Sequence, residues 1–177
     1  MLPANTLILV NPYGLRKPIQ DLVINDQVVT HMREQKRITG MLFGNMTSGN
    51  LINIEIVGYT QHIQLSEKQL VLTYPNLKLL DGKPETERVG SIADRSFDIK
   101  WVAAKDLTTE DYIQLPTPYI HNSIKQSKIQ GGKLPGTEQG LFAKIGYIQT
   151  RPYRGKTYTL IVDDENSFVA RGYCIRT

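Results

Sequence analysis

The 177-residue sequence has one cysteine, Cys174, which excludes an internal disulfide and leaves no partner thiol for a zinc site. Long apolar runs are missing as well. Segments such as Thr6–Val10 fall far short of the roughly 20 residues needed to cross a bilayer as a helix. After Met1, the stretch Leu2-Pro3-Ala4-Asn5 shows neither the basic region nor the long apolar region of a secretory signal, so an intracellular or virion-associated location is expected. The histidines are few, and His31, His62 and His121 share no metal-ligand spacing. Charge is modest: 21 Lys and Arg against 17 Asp and Glu give a net +4, with an isoelectric point near 9.1. The cations fall in scattered groups, Arg33, Lys36 and Arg37, then Lys125, Lys128 and Lys133, then Arg151, Arg154 and Lys156. None forms a basic stripe interleaved with aromatics, which argues against nucleic-acid binding. Gly131-Gly132 and Pro135-Gly136 are too sparse to cradle a phosphate, and no cofactor is implied. What remains is 40% hydrophobic and 21% charged, a composition that suits one globular domain over residues 1–177.

The apolar residues alternate with a period near two, which predicts strands. They fall at Thr6–Val10, Gln27–Glu34, Arg37–Phe43, Asn53–Thr60, His62–Gln64, Gln69–Thr73, Leu77–Leu80, Ser96–Ala103, Tyr112–Leu115, Leu141–Thr150, Thr157–Asp163 and Ser167–Arg171. Turn chemistry separates them at Asn11-Pro12-Tyr13-Gly14, Ser48-Gly49-Asn50, Asp81-Gly82, Arg154-Gly155 and Asp163-Asp164, residues that tolerate positive φ or bond their own backbone. Short helical turns are predicted at Pro18–Leu22 and Ala104–Leu107.

A faint internal repeat runs through the chain. Asp21-Leu22, Asp26 and Val28 recur as Asp106-Leu107, Asp111 and Ile113, each displaced by 85 positions. Ile56-Val57-Gly58-Tyr59 has an echo in Lys144-Ile145-Gly146-Tyr147, and Gln69–Leu72 a weaker one in Asn166–Val169. Two related β subdomains about a pseudo-two-fold axis would account for this, each burying its sheet face against the other. In the repeated element Asp21 or Asp106 is expected to cap a short turn while the leucine fills the core. The residue before Asp26 or Asp111 must then reverse the chain, a position Asn25 suits better than Glu110.

These segments resemble the Hint family, which unites inteins with the autoprocessing domain of hedgehog proteins. Residues 2–8 with Gly14 and the run from Pro18 to Val28 look like the first intein block. Leu65–Thr73 stands where that family has Thr-x-x-His, Trp101–Leu107 with Asp111 and Ile113 resembles the next block, Tyr158–Gly172 the penultimate one and Tyr173–Thr177 the last. The resemblance implies an all-β horseshoe of two pseudo-two-fold-related subdomains, with the chain ends meeting at a central cleft.

It also implies a chemistry for which these residues are unsuited. Splicing in that family starts with a Cys or Ser nucleophile at the first position and ends with cyclisation of a terminal Asn, histidines moving the protons. Here the first position is Met1, whose thioether cannot form an acyl bond. Gln69 replaces the block histidine, and only the companion hydroxyl remains, as Ser66. Thr159 and Asn166 replace the penultimate Asp and His, and Arg176-Thr177 replaces the terminal His-Asn pair. No proton carrier is left to tune. Gln69, Asn166, Ser66 and Thr159 are instead expected to form a hydrogen-bonded network in the cleft.

The expected role is therefore a catalytically inactive structural or protein-interaction module, a subunit of a larger assembly such as a phage virion being one form of it. With Met1 at the start, no upstream chain is expected to be cleaved. The alternatives are residual autoprocessing with Ser66 or Cys174 as nucleophile, activity removed by experimental substitution, and a nucleic-acid module. His121-Asn122-Ser123 mimics an intein's final junction but precedes the penultimate block, so it is read as a loop coincidence. The polar stretch 119–137 is expected to be a mobile loop. That loop, the Arg37–Asn50 hairpin and the sheet edges are the candidate surfaces for a protein partner or self-assembly.

Overall fold

The structure, a computed structural model, describes residues 1–57, 61–74, 99–115, 131–132 and 141–177, with 131–132 and 141–142 described through their backbone. The strands are β1 (Leu2–Pro3), β2 (Leu7–Leu9), β3 (Arg16–Pro18), β4 (Gln27–Val29), β5 (Gln35–Met46), β6 (Asn50–Ile56), β7 (Ile63–Ser66) and β8 (Leu70–Tyr74). They continue as β9 (Lys100–Ala103), β10 (Tyr112–Leu115), β11 (Gly131–Gly132), β12 (Leu141–Pro152), β13 (Gly155–Val162), β14 (Ser167–Ala170) and β15 (Tyr173–Arg176). One sheet runs β1-β13-β5-β4 and the other β3-β2-β14-β15-β8-β10-β12-β6-β7, with β11 beside β12 and β9 beside β8. Among the described residues every pairing is antiparallel. The all-β horseshoe expected from the sequence is the fold observed.

Two 3-10 turns, Ile19–Asp21 and Ala104–Asp106, lie where the helical turns were expected, each ending in an extended leucine, Leu22 or Leu107. The repeat is real at this element. Ile19 N–H donates to Thr6 O and Ala104 N–H to Gln69 O, both at 2.8 Å, so the hairpin β2–β3 corresponds to β8–β9. Leu22, Leu107, Val28 and Ile113 all enter one core. The capping differs from expectation. Asp21 and Asp106 are exposed, and it is Asp26 and Asp111 whose carboxylates accept from the N–H groups of Val23 (3.1 Å) and Thr108 (2.7 Å). These carboxylates follow the turn and fold back on the N–H three residues earlier, a local side-chain-to-backbone closure. Asn25 is left-handed at φ 77°, whereas Glu110 is not among the positive-φ residues; the second turn closes without that conformation, helped by Thr108 Oγ1 donating to Asp111.

The 12-residue strands β5 and β12 are the other shared element. Each leaves its own half: β5 pairs along β13, and β12 along β6. The second echo is not a structural repeat, because β12 corresponds to β5 and not to β6, the strand that carries Ile56; its Gly58 and Tyr59 lie outside the described residues. The third fails for a related reason, since β8 corresponds to β2 rather than to β14. The second half carries extra chain before β12, so an offset valid at the turn does not hold beyond it.

Several strand limits shift. The expected Gln27–Glu34 strand stops at Val29 because Thr30–Glu34 closes on itself, with Arg33 at φ 66° and its N–H on Thr30 O. β1 and β3 are too short for periodicity to register. Gly131–Gly132 pairs with Phe142 and Ala143, so this part of the expected mobile loop is β structure. The Leu77–Leu80 strand, Asp81-Gly82, His121-Asn122-Ser123 and the rest of 119–137 lie outside the described residues. No helix among the described residues is long and apolar enough to cross a membrane.

Candidate functional site

Three short elements converge on one cleft. β1 lies along β13, with Leu2 opposite Tyr158 and Pro3 opposite Thr157, which delivers Met1 to the rim. β7 ends at Ser66, and a tight turn with Gln69 N–H on Ser66 O at 3.0 Å leads into β8. β15 pairs with β8 so that Arg176 lies opposite Leu70. The cleft holds about 580 Å³ and is lined by Met1, Ser66, Gln69, Thr159, Arg176 and Thr177, together with Met46, Gly49, Asn50, Glu67 and Lys68.

Gln69 joins the two sides of this cleft. Its Oε1 accepts from the Met1 amine and its Nε2 donates to the Arg176 carbonyl, both at 2.5 Å. The side chain is 4% exposed, so these bonds satisfy an amide that would otherwise be buried at a cost. Ser66 Oγ accepts from the same amine at 2.8 Å, while Met1 O accepts from Ser66 N–H at 3.0 Å. Burial pulls the Met1 amine down to about 6, because the charged form loses water there. The Met1 sulfur rests against Thr157 Oγ1 at 3.3 Å.

The expected four-residue side-chain network is only half formed. Ser66 and Gln69 meet on Met1, and Thr159 lines the cleft. Asn166 does not line it. It sits left-handed at φ 49° between β13 and β14 and contributes its main-chain carbonyl, which accepts from Thr177 N–H (2.9 Å) and Oγ1 (3.3 Å). A carbonyl offered by a left-handed turn residue fixes Thr177 whatever the side chain, which is why the asparagine amide is not needed in the cleft. Nor is the cleft without titratable groups, since Glu67 and Lys68 stand on its exposed wall. Nothing in the sequence marks either as a cleft residue, since both lie inside the four-residue turn from Ser66 to Gln69. Met46, Gly49 and Asn50 come from the β5–β6 turn, and nothing in the sequence marks them as cleft residues.

Cys174 packs with Leu9, Val29, Leu72 and Val169, fully buried, and burial pushes its thiol up to about 12. A thiol in that setting is not ionised at neutral pH and cannot act as a nucleophile. His31 lies outside the cleft, its Nδ1 2.7 Å from Ser167 Oγ and 3.1 Å from Glu165 Oε2, with its ring edge-on to Trp101. Desolvation holds this imidazole below its usual pKa; the Glu165 carboxylate opposes that effect and Arg176 adds to it. Among the described residues no group of three His, Cys, Asp or Glu side chains is placed to hold a metal.

Two interlocked β subdomains around a cleft where the first and last residues meet define an intein-like fold. Solved inteins share it along nearly the full chain. An Ssp DnaB mini-intein variant, M86, matches with a TM-score of 0.64 at 15% identity, covering 99% of this chain and 92% of its own. The TvoVMA intein gives 0.64 at 12% identity, covering 98% and 95%. A bacterial intein-like domain from Clostridium thermocellum gives 0.62 at 14% identity, covering 99% and 97%. The protein thus has the intein-like Hint fold. No protein-family profile and no curated relative matches its sequence.

Proposed function

We propose that the chain is a single Hint-fold domain over residues 1–177 that does not splice and serves as a structural or protein-interaction module. The observation that carries this reading is the Gln69 bridge. At the position where the resemblance puts a proton-donating histidine, an amide holds the Met1 nitrogen and the Arg176 carbonyl together. An amide donates a hydrogen bond without releasing a proton near neutral pH, so the contact survives as a clamp. Met1 offers no acyl acceptor, and Thr177 has no carboxamide to cyclise. Membership of a larger assembly, a phage virion among them, is the specific form proposed for the module, with an intracellular or virion-associated location.

The test is mass spectrometry of the protein carrying a short peptide before Met1 and another after Thr177, incubated for days with thiol or hydroxylamine. Unchanged mass is expected, whereas time-dependent cleavage at either junction overturns the reading. A second reading, residual self-cleavage by Ser66, is favoured by its hydroxyl lying 2.8 Å from the Met1 nitrogen; it requires that Ser66→Ala abolish such cleavage.

A further inference from the structure

Open sheet edges invite pairing with another chain, and proteins guard them with short strands, proline or charge. Most edges here are guarded. β1 has two residues including Pro3, β4 has three, and β3 is Arg16-Lys17-Pro18. The second half of β12, beyond its pairing with β10, carries Arg151 and Pro152. β5 is the exception. β13 covers one edge of it from Ile38 to Met46, but β4 covers the other only from Gln35 to Arg37. From Thr39 onwards that second edge has no strand beside it among the described residues.

The same segment lacks charge. No charged residue occurs between Arg37 and Glu55, and both faces of the strand show apolar groups, with Leu42 57% and Phe43 71% exposed. Leu42 shares its face with Gly40, Gly44 and the exposed Ile161, while Phe43 projects on the other beside Tyr158.

The sequence of the edge reads alike in both directions. About Leu42 it runs Thr39-Gly40-Met41-Leu42-Phe43-Gly44-Asn45. Antiparallel pairing with an identical strand, with the two-fold axis at Leu42, sets leucine against leucine, Met41 against Phe43, Gly40 against Gly44 and Thr39 against Asn45. Directly opposed residues share a face, so every pair matches in kind: apolar with apolar, small with small, polar with polar. The glycines leave room on either side of the central leucines. No charge is buried or opposed, and an isologous contact of this kind closes after two subunits.

We propose that residues 39–45 of β5 form a homodimer interface, pairing edge to edge with a second copy of this chain about a two-fold axis at Leu42. The paired segment is about 24 Å long at the usual rise per residue. The proposal names the partner in the interaction-module reading and rests on it, while its test is separate from the cleavage test.

Sedimentation equilibrium of the full chain is expected to show a reversible dimer with a Kd of about 1–100 µM, as suits a small strand-to-strand contact. Leu42→Lys and Leu42→Glu, both at an exposed position, are each expected to weaken self-association at least tenfold with unchanged circular dichroism. Mixing the two variants is expected to restore a 1:1 heterodimer, an outcome that misfolding of either one would not give. A wild-type protein that stays monomeric at about 500 µM overturns the proposal. So does a dimer insensitive to Leu42→Lys, or a monomer that binds an extended peptide of another protein at this edge. Any of these leaves the mass-spectrometric test of splicing unaffected.

Discussion

Removing the Gln69 amide is the sharpest test of the central clamp. Gln69→Ala deletes the acceptor for the Met1 amine and the donor for the Arg176 carbonyl. A neutral hydrogen bond contributes about 1 kcal/mol net, and the Met1 amine, lowered to about 6, is mostly uncharged at neutral pH. The cleft is open enough for water to replace part of the loss, so the expected cost is about 1–2 kcal/mol. For a chain of this size that lowers Tm by roughly 2–8 °C. Gln69→Glu separates the two bonds: the carboxylate still accepts from the amine but sets its oxygen against the Arg176 carbonyl, so the β15 end should loosen while Met1 stays held. Urea titration gives the free energies, and amide exchange at Arg176 and Thr177 reports which side has opened. A cost below about 0.5 kcal/mol for Gln69→Ala, with exchange unchanged at both residues, would refute the clamp.

Further outcomes follow from the same geometry. Because the Met1 amine is lowered to about 6 from an ordinary 8.0, the unfolded chain binds more protons between those values, and stability should rise with pH across that window. Acetylating the amine should flatten this rise, and an identical slope in acetylated protein would remove Met1 as the cause. The two turn-closing carboxylates should matter alike, Asp26→Ala and Asp111→Ala each costing about 1–2 kcal/mol in urea titrations; neutral substitutions would dissolve the physical repeat. The Lys17 ammonium, 2.9 Å away, and the Val23 N–H hold the Asp26 carboxyl below its usual range. Its contribution is present above the unfolded carboxyl pKa and is lost as pH falls through the folded one, so wild-type protein should lose stability in acid more steeply than Asp26→Asn. Cys174 should react with a thiol reagent only at the rate of unfolding, and rapid labelling of native protein would contradict its burial.

The fold was legible where residue chemistry is local. Asp-Leu followed by a second Asp marks both turns, since the leucine needs the core and the later carboxylate needs backbone N–H groups. The block order around Ser66, Gln69 and Arg176 correctly brought those residues to one place. Asn166 shows the limit: its position near the chain end was readable, but its left-handed φ, which aims the carbonyl rather than the amide at Thr177, depends on the turn between β13 and β14. The echo of Ile56–Tyr59 in Lys144–Tyr147 fails for another reason. Extra chain precedes β12 in the second half, so the offset that aligns the turns sets β6 against β12, whose true counterpart is β5. Strands of two or three residues such as β1 and β3 carry too few side chains to show a period.

The exchange of long strands between the halves also bears on how the chain folds. Leu42 and its neighbours meet β13 residues more than a hundred positions later, so during synthesis β5 beyond the Gln35–Arg37 stretch that β4 covers has neither edge paired until β13 has left the ribosome. Closing so distant a pairing is entropically slow. The nascent first half therefore spends its time with the uncharged part of that strand, from Thr39 onwards, bare on both sides, and the waiting period, more than the finished molecule, is when it most needs a chaperone.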